Sequence, residues 1–154
     1  MADAQRRRAL GRAALTGALV IAADQFTKHT IGTSIKPGQV RHILPGLEFV
    51  YERNTGVAFS FLAGTGALVY VVTIIVLTGL VTFLVRRPAQ RLLWLPTGLL
   101  VGGALSNLID RVLLGSVIDF IKLPDWPAFN VADSCITVGV VILVLVIEGG
   151  SRDG

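Results

Sequence analysis

Asp119 and Asp133 stand 14 positions apart, on either side of a stretch that holds Pro124, Trp126 and Pro127. The first follows one long apolar run and the second opens the next. If those runs form helices packed as an antiparallel pair, the two carboxyls can meet. Two close carboxylates cannot both ionise cheaply, so one keeps a proton. The ionised member can then activate a water. The protonated member can polarise a carbonyl and later protonate a leaving amine. A plainer reading stands beside this one. Asp133 could complement the positive end of the last helix, with Asn130 as its cap.

Other polar residues lie in places where an apolar chain should not spend them. They are Asp24-Gln25 with Thr27-Lys28; Asn54 with Gly56; Gly102-Gly103 with Asn107, Asp110 and Arg111; and Phe129-Asn130. Ionisable and amide residues inside or at the ends of apolar helices mark functional sites by default. Structural readings compete. Asp24 and Lys28 are spaced i,i+4 and can pair with each other. Asp110 and Arg111 can be a solvated pair at a helix end. Gly102 and Gly103 suit helix packing, and Cys135 suits a small packing position. His29 and His42 have no evident partner and read as surface residues. A lone cysteine excludes an internal disulfide, and no CxxC or histidine cluster offers a metal site. No cofactor is expected.

These residues are carried by a chain of unusual composition. Hydrophobic residues make up 53% before the 17 glycines are counted, and only 16% are charged. Soluble domains are usually about 45–50% apolar with glycine included, and about 25% charged. Mean hydropathy is +0.70. A chain of 154 residues has too little interior for so many apolar side chains, so lipid is the expected solvent for much of its surface. Residues 67–85 and 92–109 are uncharged runs of 19 and 18 residues, and 131–147 is broken only by Asp133. At about 1.5 Å per residue, such runs approach the roughly 30 Å hydrocarbon core.

The expected architecture is an all-α membrane protein with four transmembrane helices, at about 9–30, 67–85, 92–109 and 131–147. The outer connections are about 31–66 and 110–130. One domain, 1–154, holds them all. The first segment is the weakest, because its apolar part runs only over 13–23. A cleaved signal peptide ending at Ala23 is the competing reading. Four helices fit better, because they put Arg6, Arg7, Arg8, Arg12, Arg86, Arg87 and Arg91 on one side, together with both termini. By the positive-inside rule that side is cytoplasmic. The net charge of +4 is thereby explained, and nucleic acid is not an expected partner. Nearly all the unexplained polarity then falls at the outer boundary. There, residues 40–44 and 47–51 are β-prone and separated by Pro45-Gly46, which suggests a small sheet on the outer face.

Five stretches in order, DQFTK (24–28), NTGVAFS (54–60), GGALSNLIDR (102–111), VIDF (117–120) and FNVAD (129–133), resemble the lipoprotein signal peptidases, also called signal peptidase II. The resemblance implies an intramembrane aspartic endopeptidase of the bacterial cytoplasmic (inner) membrane, with its active site near the outer face. It implies Asp119 and Asp133 as catalytic dyad. It implies prolipoproteins with a diacylglyceryl-modified cysteine as substrates, cut just before that cysteine, and an outer sheet that cradles them. Asn107 and Asn130 then hold the dyad or substrate. Arg111 and Asn54 contact substrate or support the site, and Asp24 and Lys28 order the first helix and the outer layer. Ser106 departs from the resemblance, since the family's pattern has a glycine there. Membrane lipids are the other expected partners, and a monomer is expected.

Two other classes compete. A small proton-coupled transporter would carry an acid near mid-helix, which residues 67–85 lack. A non-catalytic membrane subunit would have no reason to gather so many amides and acids in one layer.

Overall fold

The computed structural model describes residues 2–56, 67–88, 90 and 92–152. Within them, four helices and a three-stranded sheet follow in the order α1 (Ala2–Ser34), β1 (Val40–Leu44), β2 (Leu47–Asn54), α2 (Ala67–Arg86), α3 (Trp94–Leu114), β3 (Val117–Lys122) and α4 (Val131–Arg152). Residues 57–60 of the second motif lie outside the described residues, as does Arg91.

Local chemistry sets the helix ends. Pro96 sits in the first turn of α3, where its missing N–H breaks no helical bond. Gly115 ends the same helix at φ 71° and donates its N–H to the Arg111 carbonyl over 3.1 Å. That left-handed turn is what glycine adopts without a Cβ penalty, and it turns the chain straight into β3. At α4, Asn130 and Asp133 form a reciprocal capping box. The Asp133 N–H donates to Asn130 Oδ1 over 2.8 Å, and the Asn130 N–H donates to Asp133 Oδ2 over 3.3 Å.

α3 is the central helix, with α1 on one side and α4 on the other. Glycines permit the close approach. A Cβ on Gly102 would lie 2.7 Å from the Gly17 carbonyl oxygen, and one on Gly103 would lie 2.7 Å from the Ala132 carbonyl oxygen. The packing reading of both glycines is therefore correct. The Gly103 contact sets the first turn of α4 directly against α3.

The sheet is antiparallel in the order β1-β2-β3. The β1–β2 hairpin matches the expected strands. The third strand, which carries Asp119, was not foreseen. It is a short stretch between Ser116 and Pro124 that follows no single period, and it pairs with β2 so that Glu52 lies opposite Asp119. Ile31 and Ile35 at the end of α1 pack with Phe120, Phe49 and Tyr51 and seat the sheet on the bundle. The Phe49 and Phe120 rings meet edge to face, with centroids 6.0 Å apart. At the opposite end, Ala9, Ala13, Leu84 and Leu93 form a second apolar cluster.

Two helices, over Trp94–Leu114 and Val131–Gly149, are long and apolar enough to cross a membrane, and only 11% of the second one's apolar window is buried. A core helix of a soluble domain would be mostly covered. Val71–Arg86 is a shorter apolar helix. Leu15, Leu19 and Phe26 of α1 also point outward, each more than 60% exposed. α1 runs unbroken across Ala23 and Asp24, with Asp24 fully buried.

Two expectations need correction. The third helix does not end before Asp110 and Arg111 but continues to Leu114. Asp110 is buried and does not pair with Arg111. A charge whose partner lies inside the bundle need not end a helix. His42 also has a partner: its Nδ1 lies 2.8 Å from Glu48 Oε1 across the hairpin, on an exposed surface.

Candidate active site

The polar groups singled out in the sequence converge where the C-terminal half of α1, the C-terminal half of α3, β3 and the first turn of α4 meet. Lys28 anchors the inner part. Its ammonium has three hydrogens to donate, and three acceptors surround it: Asp24 Oδ2 at 2.6 Å, Asp110 Oδ2 at 2.8 Å and Asn107 Oδ1 at 3.0 Å. All four residues are buried. An uncompensated charge could not persist at such a place. Here one cation is shared by two carboxylates, and hydrogen-bond donors offset the remaining negative charge on them.

Those donors tie the network to the chain around the two aspartates. Asp24 Oδ1 accepts the backbone N–H of Ala132 over 2.8 Å, next to Asp133. Asp110 Oδ2 accepts the backbone N–H of Ile118 over 3.3 Å, next to Asp119. Gln25 donates to Asp110 Oδ1 over 2.8 Å and to Ser106 Oγ over 3.1 Å. The Ser106 hydroxyl donates to Asp24 Oδ2 over 2.7 Å. The serine is fully buried, and its hydroxyl is absorbed into the network.

Two amides connect this layer to Asp119 and Asp133, and the donors around them fix their orientation. The Asp133 backbone N–H can only donate, so Asn130 must turn its oxygen that way. Its Nδ2 then donates to Asp119 Oδ1 over 2.7 Å. Lys28 can only donate as well, so Asn107 turns Oδ1 toward it and donates Nδ2 to Asp133 Oδ1 over 2.8 Å. Asn130 Nδ2 also approaches Asn107 Oδ1 at 3.2 Å. Asn54, at the end of β2, donates to the other oxygen of Asp119 over 3.0 Å. Asn54, Asn107, Asn130, Asp24 and Lys28 are thus all brought together with the two aspartates. Among the described residues, Arg111 bonds to neither aspartate. It reaches back one turn to the Asn107 carbonyl over 3.3 Å.

Asp119 is only 2% exposed. Burial pushes its carboxyl up to about 6, against the hydrogen bond from Asn54; the neighbouring Asp133 carboxylate adds to the rise, and Asn130 and Lys28 oppose it. An open cleft of ≈ 290 Å³ leads to Asp119, with Glu52, Asn54, Lys122 and Pro127 in its walls. A carboxyl that exchanges its proton near pH 6, at the end of a cleft and beside a second carboxyl, is equipped for acid–base chemistry on a bound amide.

Sequence reasoning missed the positioning role of Asp110 and Gln25. Both sit inside recognised stretches, yet nothing in the spacing shows which way a side chain turns. Arg53 was missed too: it donates to Ser116 Oγ over 2.8 Å and to the Leu114 carbonyl, and so stitches β2 to the turn that launches β3.

Comparison with known proteins decides the family. The sequence model of signal peptidase (SPase) II, an aspartic peptidase family, matches residues 16–148. This chain belongs to the signal peptidase II family. The resemblance read from the five sequence stretches is borne out, and the chain is a protease. A lipoprotein signal peptidase of Syntrophomonas wolfei is 41% identical over 137 residues, covering 88% of this chain and 92% of its own. One from Staphylococcus aureus is 37% identical over 142 residues, covering 88% of this chain and 87% of its own. Two solved structures described as bacterial membrane enzymes superpose with TM-scores of 0.82 and 0.79, both at 36% identity. They cover 94% and 90% of this chain and 93% of their own. The transporter reading is not favoured by any of these.

Proposed function

We propose that this signal peptidase II family member removes the signal peptide from diacylglyceryl-modified prolipoproteins, with Asp119 and Asp133 as catalytic dyad. The Asn130 side chain carries this reading. It donates to the Asp119 carboxyl and accepts from the Asp133 backbone N–H, while the Asn130 backbone N–H donates to Asp133 Oδ2, so one residue holds the two carboxyls in a fixed relation. The names of the relatives support the substrate class.

The dyad shares one proton. The ionised carboxylate takes a proton from water as the water oxygen adds to the scissile carbonyl carbon. The protonated carboxyl donates toward the carbonyl oxygen. On collapse the C–N bond breaks, and the departing nitrogen takes a proton from the dyad. The products are a carboxylate on the signal peptide and an amine on the lipidated cysteine. Asn54 and Asn107 hold one carboxyl each, and Arg111 serves the substrate backbone at the rim. Asp24, Lys28 and Asp110 are positioning residues.

In this proposal α1 to α4 all span the membrane as one domain, with both termini in the cytoplasm of a bacterium. The distribution of charge supports the placement. Arg6, Arg7, Arg8 and Arg12 lie at one end of α1, and Asp24 and Lys28 lie toward the other. The site then lies near the outer face, where water for hydrolysis is at hand. A lipidated substrate reaches it by lateral diffusion, and its acyl chains supply about 0.8 kcal/mol per buried CH₂.

The test uses purified protein in detergent with a diacylglyceryl-modified prolipoprotein. Wild type should release the signal peptide, and folded Asp119→Asn and Asp133→Asn should each be silent. If either variant, with unchanged helicity and Tm, cleaves at near wild-type rate, the dyad assignment is wrong.

A further inference from the structure

A second polar cavity lies at the opposite end of α1 from the aspartates. It measures ≈ 360 Å³ and is lined by Gln5, Arg8 and Arg12 of α1 together with Gln90 and Leu92 before α3 and Trp94 at its start. We propose that it is a headgroup site for an anionic phospholipid, one whose phosphate is gripped by Arg8 and Arg12.

Depth is the first argument. Arg8 and Lys28 are 20 positions apart on one continuous helix, about 30 Å at 1.5 Å per residue, which is the thickness of the hydrocarbon core. When the Lys28 end of α1 lies at one boundary, Arg8 lies at the other, at the level of lipid phosphates. Basic pockets between helices at a membrane face are the expected receptors for anionic headgroups.

Charge is the second argument. Arg8 and Arg12 are spaced i,i+4 and share a face of α1. Among the described residues no acidic side chain lines the cavity, and neither arginine makes an ion pair. The Arg12 guanidinium lies over the Trp94 ring, 5.7 Å from its centroid. This cation–π contact anchors the guanidinium beside the cavity, where its N–H donors suit a bidentate grip on phosphate oxygens. Arg6, Arg7, Arg86 and Arg87 add positive charge at the same end of the bundle.

Gln90 is the third. Its Nε2 donates to the Val146 carbonyl over 3.1 Å, but among the described residues its buried Oε1 has no partner. A lipid phosphodiester by itself has no donor for that acceptor. A headgroup that carries a hydroxyl, as a glycerol headgroup does, brings a donor to the same cavity as the phosphate.

The test is native mass spectrometry of the detergent-solubilised full chain, titrated with phosphatidylglycerol or phosphatidylcholine of matched acyl chains. Wild type should retain phosphatidylglycerol preferentially. Arg8→Gln/Arg12→Gln should weaken that retention about 30-fold, at about 1 kcal/mol per basic residue. Arg6→Gln/Arg7→Gln, with the same loss of charge, should change it less than about threefold. Equal losses in the two double variants would mean diffuse attraction rather than a site, and would overturn the proposal, as would absence of lipid preference in wild type. Inorganic phosphate at matched concentration should raise Tm by less than phosphatidylglycerol does. Equal protection by phosphate would make this a free-anion site instead. Helicity of each variant is checked first, and Arg12→Lys, which keeps the charge, should retain part of the binding if Arg12→Gln loosens Trp94. None of these readouts involves peptide cleavage.

Discussion

Asp24 and Asp110 grip the same Lys28 ammonium from two helices, at 2.6 Å and 2.8 Å. Each then reaches onward to a backbone N–H, Asp24 to that of Ala132 and Asp110 to that of Ile118. Those are the residues just before Asp133 and Asp119. The ion triad is therefore the part of the fold that sets the two proposed catalytic residues at a fixed separation.

Replacing Lys28 by methionine would leave two buried carboxylates without their cation. Loss of one partner from a buried ionic group costs about 3–5 kcal/mol. Lys28→Met should lower Tm by more than any single substitution at Arg6, Arg7 or Arg8 and should abolish cleavage. Adding Asp110→Asn to it should recover part of the Tm, measured by thermal unfolding in detergent, because one of the stranded charges is gone.

Gly103→Ala tests whether helix spacing positions the dyad. The added Cβ would meet the Ala132 carbonyl oxygen at 2.7 Å, which is backbone and yields only if the first turn of α4 moves. Overpacking of this kind costs about 1–3 kcal/mol. The rate should fall by more than tenfold, since misplacement by about 1 Å can cost about 100-fold. Single-turnover kinetics beside Tm would separate the two effects, and an unchanged rate would show that α4 tolerates the shift.

Ser106→Ala removes a hydroxyl that donates to Asp24 Oδ2 and accepts from Gln25. Each of those groups keeps another partner, so the loss should be about 1–2 kcal/mol with the fold retained. The variant should cleave more slowly than wild type, by up to about tenfold, and the measured Tm should drop by a few degrees. This is the position where the family's pattern has a glycine. The structure shows that the extra hydroxyl is bonded on both sides rather than crowding the helices.

The proton on Asp119 gives a pH signature. Its carboxyl is pushed up from 3.8 to about 6, so the folded state holds the proton more tightly than the unfolded chain does. That contribution to stability is fully present below about 3.8 and is lost as pH rises through about 6. The Tm of wild type should therefore fall relative to Asp119→Asn across that window. The carboxylic C=O stretch in infrared difference spectra should disappear as pH passes about 6 in wild type and be absent from the variant. A band that vanished near 4 instead would place the proton elsewhere.

Much of this protein was legible in the chain itself. Long apolar runs located α2, α3 and α4 to within about five residues, because a long apolar helix leaves an unmistakable gap in charge. The 40–44 and 47–51 strands were readable from β-prone residues around Pro45-Gly46. The polar residues of the site were readable too, since buried amides and acids are costly and stand out in such a sequence. β3 was not legible, because Val117 to Lys122 is too short to show a period and takes its hydrogen bonds from β2. The end of α3 was misplaced for a related reason: Asp110 looks like a boundary until Lys28, 82 positions earlier, is found beside it.

Composition and the order of polar residues along the chain thus determined that lipid is the expected solvent, which side chains are candidates, and which family they resemble. Tertiary structure decided the direction each of them faces. Asn130 could have been a helix cap alone; the fold makes the same amide a cap for α4 and a donor to Asp119. Asp133 is likewise both a capping residue and a member of the proposed pair. A sequence specifies the hydrogen-bonding capacity of each group, but which partners exhaust that capacity depends on contacts between residues far apart in the chain. Those contacts exist only once α1, α3, β3 and α4 have closed around Lys28.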